Sequence, residues 1–226
     1  MNLETNLPTK FIQNILESVT FQIYNQIHNL DDLNISIRFC HPNYGCDYTS
    51  AIAYQLSSKL AKTPTEIAQT LYQSISTTEQ LVITITDRGM INFKLTETYI
   101  QTCLDHIAIA DLALNYLPQP QNFPLFTHTQ YAYARCCSLL RMVESVNIRA
   151  AIVSPELALT LIDIAENLDK LSEPQVIKCC QNLTLKFLEL SDRSSNSQVL
   201  STSILKITQK LIYTLASGYI NLSEYL

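Results

Sequence analysis

Three prolines within seven residues divide this chain: Pro118, Pro120 and Pro124. None of them can donate a backbone hydrogen bond and each would break a helix interior, so no regular element runs through the stretch. The patterns on its two sides differ. Upstream, strand-like alternation is mixed with helical periodicity, while downstream every periodic segment is helical. With 226 residues the chain is long enough for two modest domains, each with its own core. The expected organisation is an α+β domain over 1–117, a proline-rich linker over 118–126 and an all-α helical bundle over 127–226.

The upstream half predicts a definite order of elements. Residues 8–29 form an amphipathic helix, with Phe11, Ile12, Ile15, Leu16, Val19, Ile23 and Ile27 on one face and Pro8 in its first turn. Leu33, Ile35, Ile37 and Phe39 alternate with polar residues, the mark of a half-buried strand. A turn-rich loop over 41–48 leads into a helix that starts near Tyr48 or Thr49 and buries Ile52, Ala53, Leu56 and Leu60. Thr63, Pro64 and Glu66 then spell a capping box with proline at the first helical position. The helix it opens buries Ile67, Ala68, Leu71, Tyr72 and Ile75. Strands over 81–86 and 90–95 flank the turn Asp87, Arg88 and Gly89, and Thr96 caps a helix reaching Tyr116.

Downstream, a long helix opens around Thr129, with Tyr131, Ala134, Leu139 or Leu140, and Val143 recurring every three or four residues. Ser154 and Pro155 start a second helix that extends to about Lys170, and Glu173 and Pro174 start a third. A polar loop over 192–197 follows. Ile204, Leu205, Ile207, Leu211, Ile212 and Leu215 line the last long helix, which ends at Ser217 and Gly218.

Composition narrows the chemistry. The seven cysteines include no C-x-x-C spacing, and the adjacent pairs Cys136–Cys137 and Cys179–Cys180 splay apart on a helix, so all seven are expected as reduced thiols. Cys40, His41 and Cys46 offer three zinc donors, but at a spacing that fits no common pattern and without an evident fourth. No metal and no cofactor is expected. With glycine only at Gly45, Gly89 and Gly218, no glycine-rich phosphate cradle exists, and no G-x-S-x-G nucleophile signature occurs. No apolar run reaches the roughly 18 residues that span a bilayer, and Met1 to Thr5 lack a basic, apolar signal start. A cytoplasmic protein with no membrane partner is the expectation. Residues 1–118 carry 6 basic against 11 acidic side chains and residues 119–226 carry 9 of each, so the basic excess usual in nucleic-acid binders is missing. The one local excess is Arg135, Arg141 and Arg149 against Glu144.

Several strings nevertheless resemble one family. Gln130, Tyr131, Ala132, Ala134, Arg135, Ser138 and Arg141 resemble the opening of the anticodon-binding (DALR) domain of arginyl-tRNA synthetases, with Tyr133 where that family commonly has His. Tyr44 to Tyr48 resemble its Gly-Asp-Tyr turn with one residue inserted. Lys59, Leu60 and Pro64 to Ala68 resemble its Lys-Leu-x(n)-Pro-x-x-x-Ala segment, and Gly89 to Phe93 resemble Gly-Phe-Ile-Asn. The upstream half thus resembles the additional N-terminal domain that contacts the tRNA D-loop corner, and the final helix resembles the close of the DALR domain.

What the resemblance implies is tRNA binding, with an arginine tRNA as first candidate, through Asn92, Gln130, Tyr131, Arg135 and Arg141. The family's catalytic domain lies between the two halves, where this chain has about a dozen residues, far short of the roughly 30 of even one βαβ unit. No HIGH-like or KMSK-like motif occurs, and the chain departs from the family at Met90, Cys179, Gln181, Leu190 and Ser191, where aromatic residues are usual. Two functions are therefore expected: a non-catalytic relative of the synthetase acting as tRNA binder or adaptor, or a protein-interaction module, homodimeric or with another protein, that re-uses the scaffold. A subunit of a split synthetase is a third and remoter possibility.

Overall fold

The computed structural model describes residues 7–24, 33–40, 44–75, 78–114, 126–145, 151–152, 154–193 and 199–223. The prolines at 118, 120 and 124 lie outside them. The chain divides into two compact units, Met1–Cys103 and Leu104–Leu226.

In the first unit, α1 (Pro8–Tyr24), α2 (Ile52–Leu60) and α3 (Pro64–Ser74) accompany an antiparallel sheet of β1 (Ile37–Phe39), β2 (Tyr48–Ser50), β3 (Leu81–Ile85) and β4 (Ile91–Leu95). The strand order is β1-β2-β4-β3. Tyr48, Phe93 and Ile83 are cross-strand neighbours, as are Ser50, Ile91 and Ile85. This face is the core side: Tyr48, Ile91 and Phe93 are almost fully buried, as are Ile12 and Leu16 of α1, Leu56 of α2 and Ile67 of α3. Alternate residues face away from the core, because side chains along a strand have a period of two.

Local signals explain most of these elements. The hydroxyl of Thr63 accepts from Glu66 N while the Glu66 carboxylate accepts from Thr63 N at 2.9 Å, closing the expected capping box. The hairpin turn closes with Gly89 N donating to Thr86 O and Thr86 N to Met90 O. Gly89 has φ +85°, and a Cβ there would lie 2.7 Å from the Pro64 carbonyl carbon, so only glycine fits.

Four expectations are corrected. Tyr48–Ser50, read as a helix start, is strand β2; its burial alternates, and its backbone fills the gap between β1 and β4. Three residues are too few to show a period, so the helix behind them masked the strand. Of the alternating run 33–39, only Ile37–Phe39 pairs. The helix expected to reach Tyr116 is α4 (Glu97–Ile109), where the Lys210 ammonium takes the carbonyls of Ala108 and Ala110 and ends the ladder. Finally, Cys40 and Cys46 are bonded to each other, not reduced. The loop they close brings their Cα atoms to 6.0 Å, and Cys40 N donates to Asp47 O at 2.8 Å beside them. Residues 25–29 of the first expected helix lie outside the described residues.

The second unit is helical: the end of α4, α5 (Phe126–Ser145), α6 (Pro155–Asn167) continued by a 3₁₀ turn, α7 (Glu173–Arg193) and α8 (Thr202–Ala216). β5 (Ala151–Ile152) and β6 (Val199–Leu200), unforeseen, form a two-residue parallel pair. Ser154 caps α6 and Ser201 caps α8, each accepting from the amide three residues on. At the start of α7 the Gln175 side-chain oxygen accepts from both Ser172 N, at 2.8 Å, and the Ser172 hydroxyl, at 2.7 Å. α5 and α8 pack against each other and both pack on α7, burying Cys136, Leu183, Phe187, Leu211 and Leu215. Part of the expected polar loop, Asp192 and Arg193, belongs to α7, and residues 194–197 lie outside the described residues.

Two measurements check this account. Thr63→Ala is expected to lower stability by about 1 kcal/mol through loss of the cap. Alkylation of the denatured, unreduced protein is expected to label five cysteines, and seven after reduction. Reduction is also expected to lower unfolding stability in urea by about 2 kcal/mol, the chain-entropy value for so short a loop.

Candidate functional site

The outward face of the first unit's sheet is polar. Register places Arg38 of β1 beside Thr49 of β2, Thr49 beside Asn92 of β4, and Asn92 beside Thr84 of β3. This row crosses all four strands on the side opposite the core. Thr49 Oγ1 donates to Asn92 Oδ1 at 2.8 Å, which fixes the amide and turns its N–H₂ group outward as donor. Lys94 and Val82, paired one step along, are exposed on the same face. Arg38, Thr49 and Thr84 were not singled out by sequence, since only strand register brings them beside Asn92.

Asp47 holds this surface in register. Its backbone N–H donates to Phe93 O at 2.9 Å, and its carboxylate accepts from Leu95 N at 2.7 Å. The side chain therefore extends the β2–β4 ladder beyond the last backbone pair. Burial raises its carboxyl above the ordinary value, opposed by the Leu95 hydrogen bond and by Lys94. Met90, where the resembled family has an aromatic residue, is half-buried, and its N–H is taken by Thr86 Oγ1 at 3.0 Å.

The other four candidates lie on α5, in the second unit. Gln130 is engaged within the protein: its Nε2 donates to Ser223 O at 2.8 Å, and its Oε1 accepts from Ser223 N at 3.3 Å. Both ends of the amide thus hold the segment after α8. Tyr131 is 39% exposed, and Arg135, one turn on, shares its face. Arg135 is half-buried, and its Nε is buried with no hydrogen-bond acceptor among the described residues. Arg141 is exposed. Tyr133 is buried against Tyr213 of α8, with ring centroids 6.1 Å apart.

Among the described residues no set of three His, Cys, Asp or Glu side chains could hold a metal ion. The two thiols weighed as zinc donors, Cys40 and Cys46, are bonded to each other. The buried Cys180 thiol is pushed up to about 12 by burial, although hydrogen bonds with Thr184 and Thr129 oppose the shift, so it is not a nucleophile at neutral pH.

The role given to Asp47 is testable. Asp47→Ala removes the acceptor for Leu95 N–H and is expected to cost about 1–2 kcal/mol of stability, whereas Asp47→Asn keeps an acceptor there. A carboxyl whose folded value lies above its unfolded 3.8 destabilises the fold only once ionised, so its penalty is absent below 3.8 and sets in as pH rises through the folded value. Urea unfolding from pH 3.8 to neutrality should therefore show Asp47→Asn gaining on wild type as pH rises. A constant difference would remove burial as the cause.

Comparison with known proteins bears on this geometry. Residues 9–95 match the family model of the arginyl tRNA synthetase N terminal domain, and the match contains the 44–48, 59–68 and 89–93 strings together with the whole four-stranded sheet. Among solved structures, the chain is similar to the arginyl-tRNA synthetase of Plasmodium falciparum at 12% identity and a TM-score of 0.39, over 82% of this chain and 43% of that one. The chain thus spans less than half the length of that synthetase. No curated protein matches it. No helix among the described residues is long and apolar enough to cross a membrane. The sheet that carries Asn92, with α2, α3 and α1 after Pro8, thus falls within the residues that match this family model.

Proposed function

We propose that this chain is a non-catalytic tRNA-binding protein related to arginyl-tRNA synthetases, with an arginine tRNA as its first candidate ligand. The observation that carries the reading is the match of residues 9–95 to the synthetase's N-terminal domain, in which the polar row Arg38, Thr49, Asn92 and Thr84 faces away from the core. A fixed amide donor beside hydroxyls and cations suits phosphate and ribose oxygens, which position RNA without reading its sequence. The second unit, proposed as the DALR-like half, adds Tyr131, Arg135 and Arg141. Arg135 Nε, buried without an acceptor among the described residues, is suited to a phosphate oxygen. The domain division at 117–127 belongs to the same proposal.

Catalysis has no place in this reading. Between the matched domain, ending at 95, and α5, starting at Phe126, lie only α4 and the proline-bearing stretch. An ATP-activating fold needs several βαβ units of roughly 30 residues each. The compartment proposed is the cytoplasm. The Cys40–Cys46 bond pulls against it, because cytosolic thiols are mostly kept reduced. The second reading, a protein-interaction module or homodimer, is favoured by one observation: the 11 acidic against 6 basic side chains of residues 1–118.

The test is titration with an arginine-accepting tRNA across a range of salt. Binding is expected to weaken steeply with salt. Arg135→Glu with Arg141→Glu should reduce the slope of log affinity against log salt by about 1.5–2, two lost phosphate contacts. Asn92→Ala, which removes no charge, should weaken binding and leave the slope unchanged. No binding at low salt would end the tRNA reading, and sedimentation of the purified protein would then examine the second.

A further inference from the structure

One edge of the first unit's sheet is weakly held. β1 pairs with β2 through three residues and has no strand on its other side among the described residues. Cys40 N donates to Asp47 O at 2.8 Å, so Arg38 and Thr49 form the next hydrogen-bonded pair of this antiparallel ladder. Beyond the strand the Ser50 hydroxyl donates to Ser36 O at 3.2 Å, and at its other end stands the Cys40–Cys46 bond. Little burial assists. Arg38 is exposed, and Phe39, 39% exposed, meets the Tyr48 ring edge-on with centroids 5.5 Å apart. β2, by contrast, is paired on both sides, and Asp47 adds its bonds to Phe93 O and Leu95 N. Opening the disulfide therefore loosens β1 and spares the β2–β4–β3 ladder.

What β1 brings to the outward face is a charge. Arg38 is the cation that ends the row Arg38, Thr49, Asn92 and Thr84. If β1 leaves the sheet, this cation goes with it, while Thr49, Asn92 and Thr84 keep their places on strands that pair without β1. The bond is also within reach of a reductant. Cys40 and Cys46 keep 7% and 8% of their surface, and Tyr44 and Gly45, next to Cys46, are exposed. In the compartment proposed for this chain, the disulfides that do form are mostly transient and catalytic or redox-sensing. A redox-sensing role reconciles the bond with that compartment.

We propose that the Cys40–Cys46 bond is a redox clamp on β1: a dithiol reductant opens it, β1 leaves the sheet with Arg38, and RNA binding at the polar row weakens. A thiolate of the reductant attacks one of the two sulfurs, forming a mixed disulfide, and the other cysteine departs as a thiolate that takes up a proton. The reductant's second thiolate then displaces the first cysteine, which is protonated in turn. The protein gains two electrons and two protons, the dithiol becomes a disulfide, and an oxidised dithiol drives the reverse. The effect on RNA rests on the tRNA-binding reading and gives that site a regulation. The release of β1 stands apart from it.

The test uses the full, folded chain in reduced or oxidised dithiothreitol. Alkylation after denaturation reports the state of the bond, five labelled cysteines when it is closed and seven when it is open. Reduction is expected to speed amide exchange of Arg38 and Cys40, followed by NMR, by about tenfold and to leave Thr84 and Asn92 unchanged. Titration with an arginine-accepting tRNA should find the reduced chain weaker by about three- to tenfold, with a salt slope lower by about 0.7–0.9, one phosphate contact. Arg38→Ala in the oxidised chain should show the same loss, and reduction should then change nothing more. Cys40→Ser with Cys46→Ser should bind as reduced wild type does in either buffer. Where that variant misfolds by circular dichroism, wild type and Arg38→Ala carry the test. A bond that stays closed in excess reductant, or Arg38 exchange unaltered by its opening, overturns the clamp. Faster exchange with equal tRNA affinity in both forms overturns its control of RNA and leaves the tRNA reading standing. Binding by neither form ends the tRNA reading, and amide exchange then decides the clamp by itself.

Discussion

The first unit depends on the alternation of five residues. Ile91, Phe93 and Leu95 of β4 enter the core, and this aims Asn92 and Lys94 the other way, because the side-chain period of a strand admits no alternative. A slip of one residue would exchange the two sets and bury an amide and an ammonium, so the core itself guarantees the composition of the outer face. Register is held at both ends of the strand. At one end Gly89 lies so close to Pro64 that no side chain fits, and at the other Asp47 adds its carboxylate to the ladder. The polar row that includes Asn92 is a by-product of this locking.

The second unit is organised by a helix pair rather than a strand. α5 and α8 share an apolar seam with α7 behind them, and the contacts between Tyr133 and Tyr213 and between Cys137 and Gln209 set their register. Arg135 and Arg141 belong to one helix of this pair and Lys206 and Lys210 to the other. A summed charge cannot report this, since seven-residue or hundred-residue totals mix faces that the fold keeps apart. Gln130 shows the opposite effect. Its position in a string that resembles the synthetases led to the expectation of a tRNA contact, but its amide closes on the backbone of Ser223 within the same chain.

Elements with chemical punctuation were legible. Thr63, Pro64 and Glu66 announced α3; Ser154 and Pro155 announced α6; Asp87 to Gly89 announced the hairpin, and each is found with the hydrogen bonds its residue types demand. Elements without it were not. β2 is three residues long and abuts a helix, and the pair β5–β6 has two residues per strand, too few for any periodicity. The Cys40–Cys46 bond escaped for a related reason: six residues of separation say nothing about whether a loop folds back on itself.

By itself the sequence determined the two classes of structure, mixed strands and helices followed by helices, and the motifs that tie residues 9–95 to a synthetase domain, because these rest on local stereochemistry and on residue order. Only the tertiary structure decided which side chains share a surface. Arg38, Thr49, Asn92 and Thr84 span more than fifty residues of chain, from 38 to 92, and become neighbours through strand pairing alone. Tyr133 and Tyr213 are eighty residues apart and meet because two helices bury their apolar faces against one another. Proximity of this kind is set by which apolar surfaces leave water together, and no local pattern encodes it.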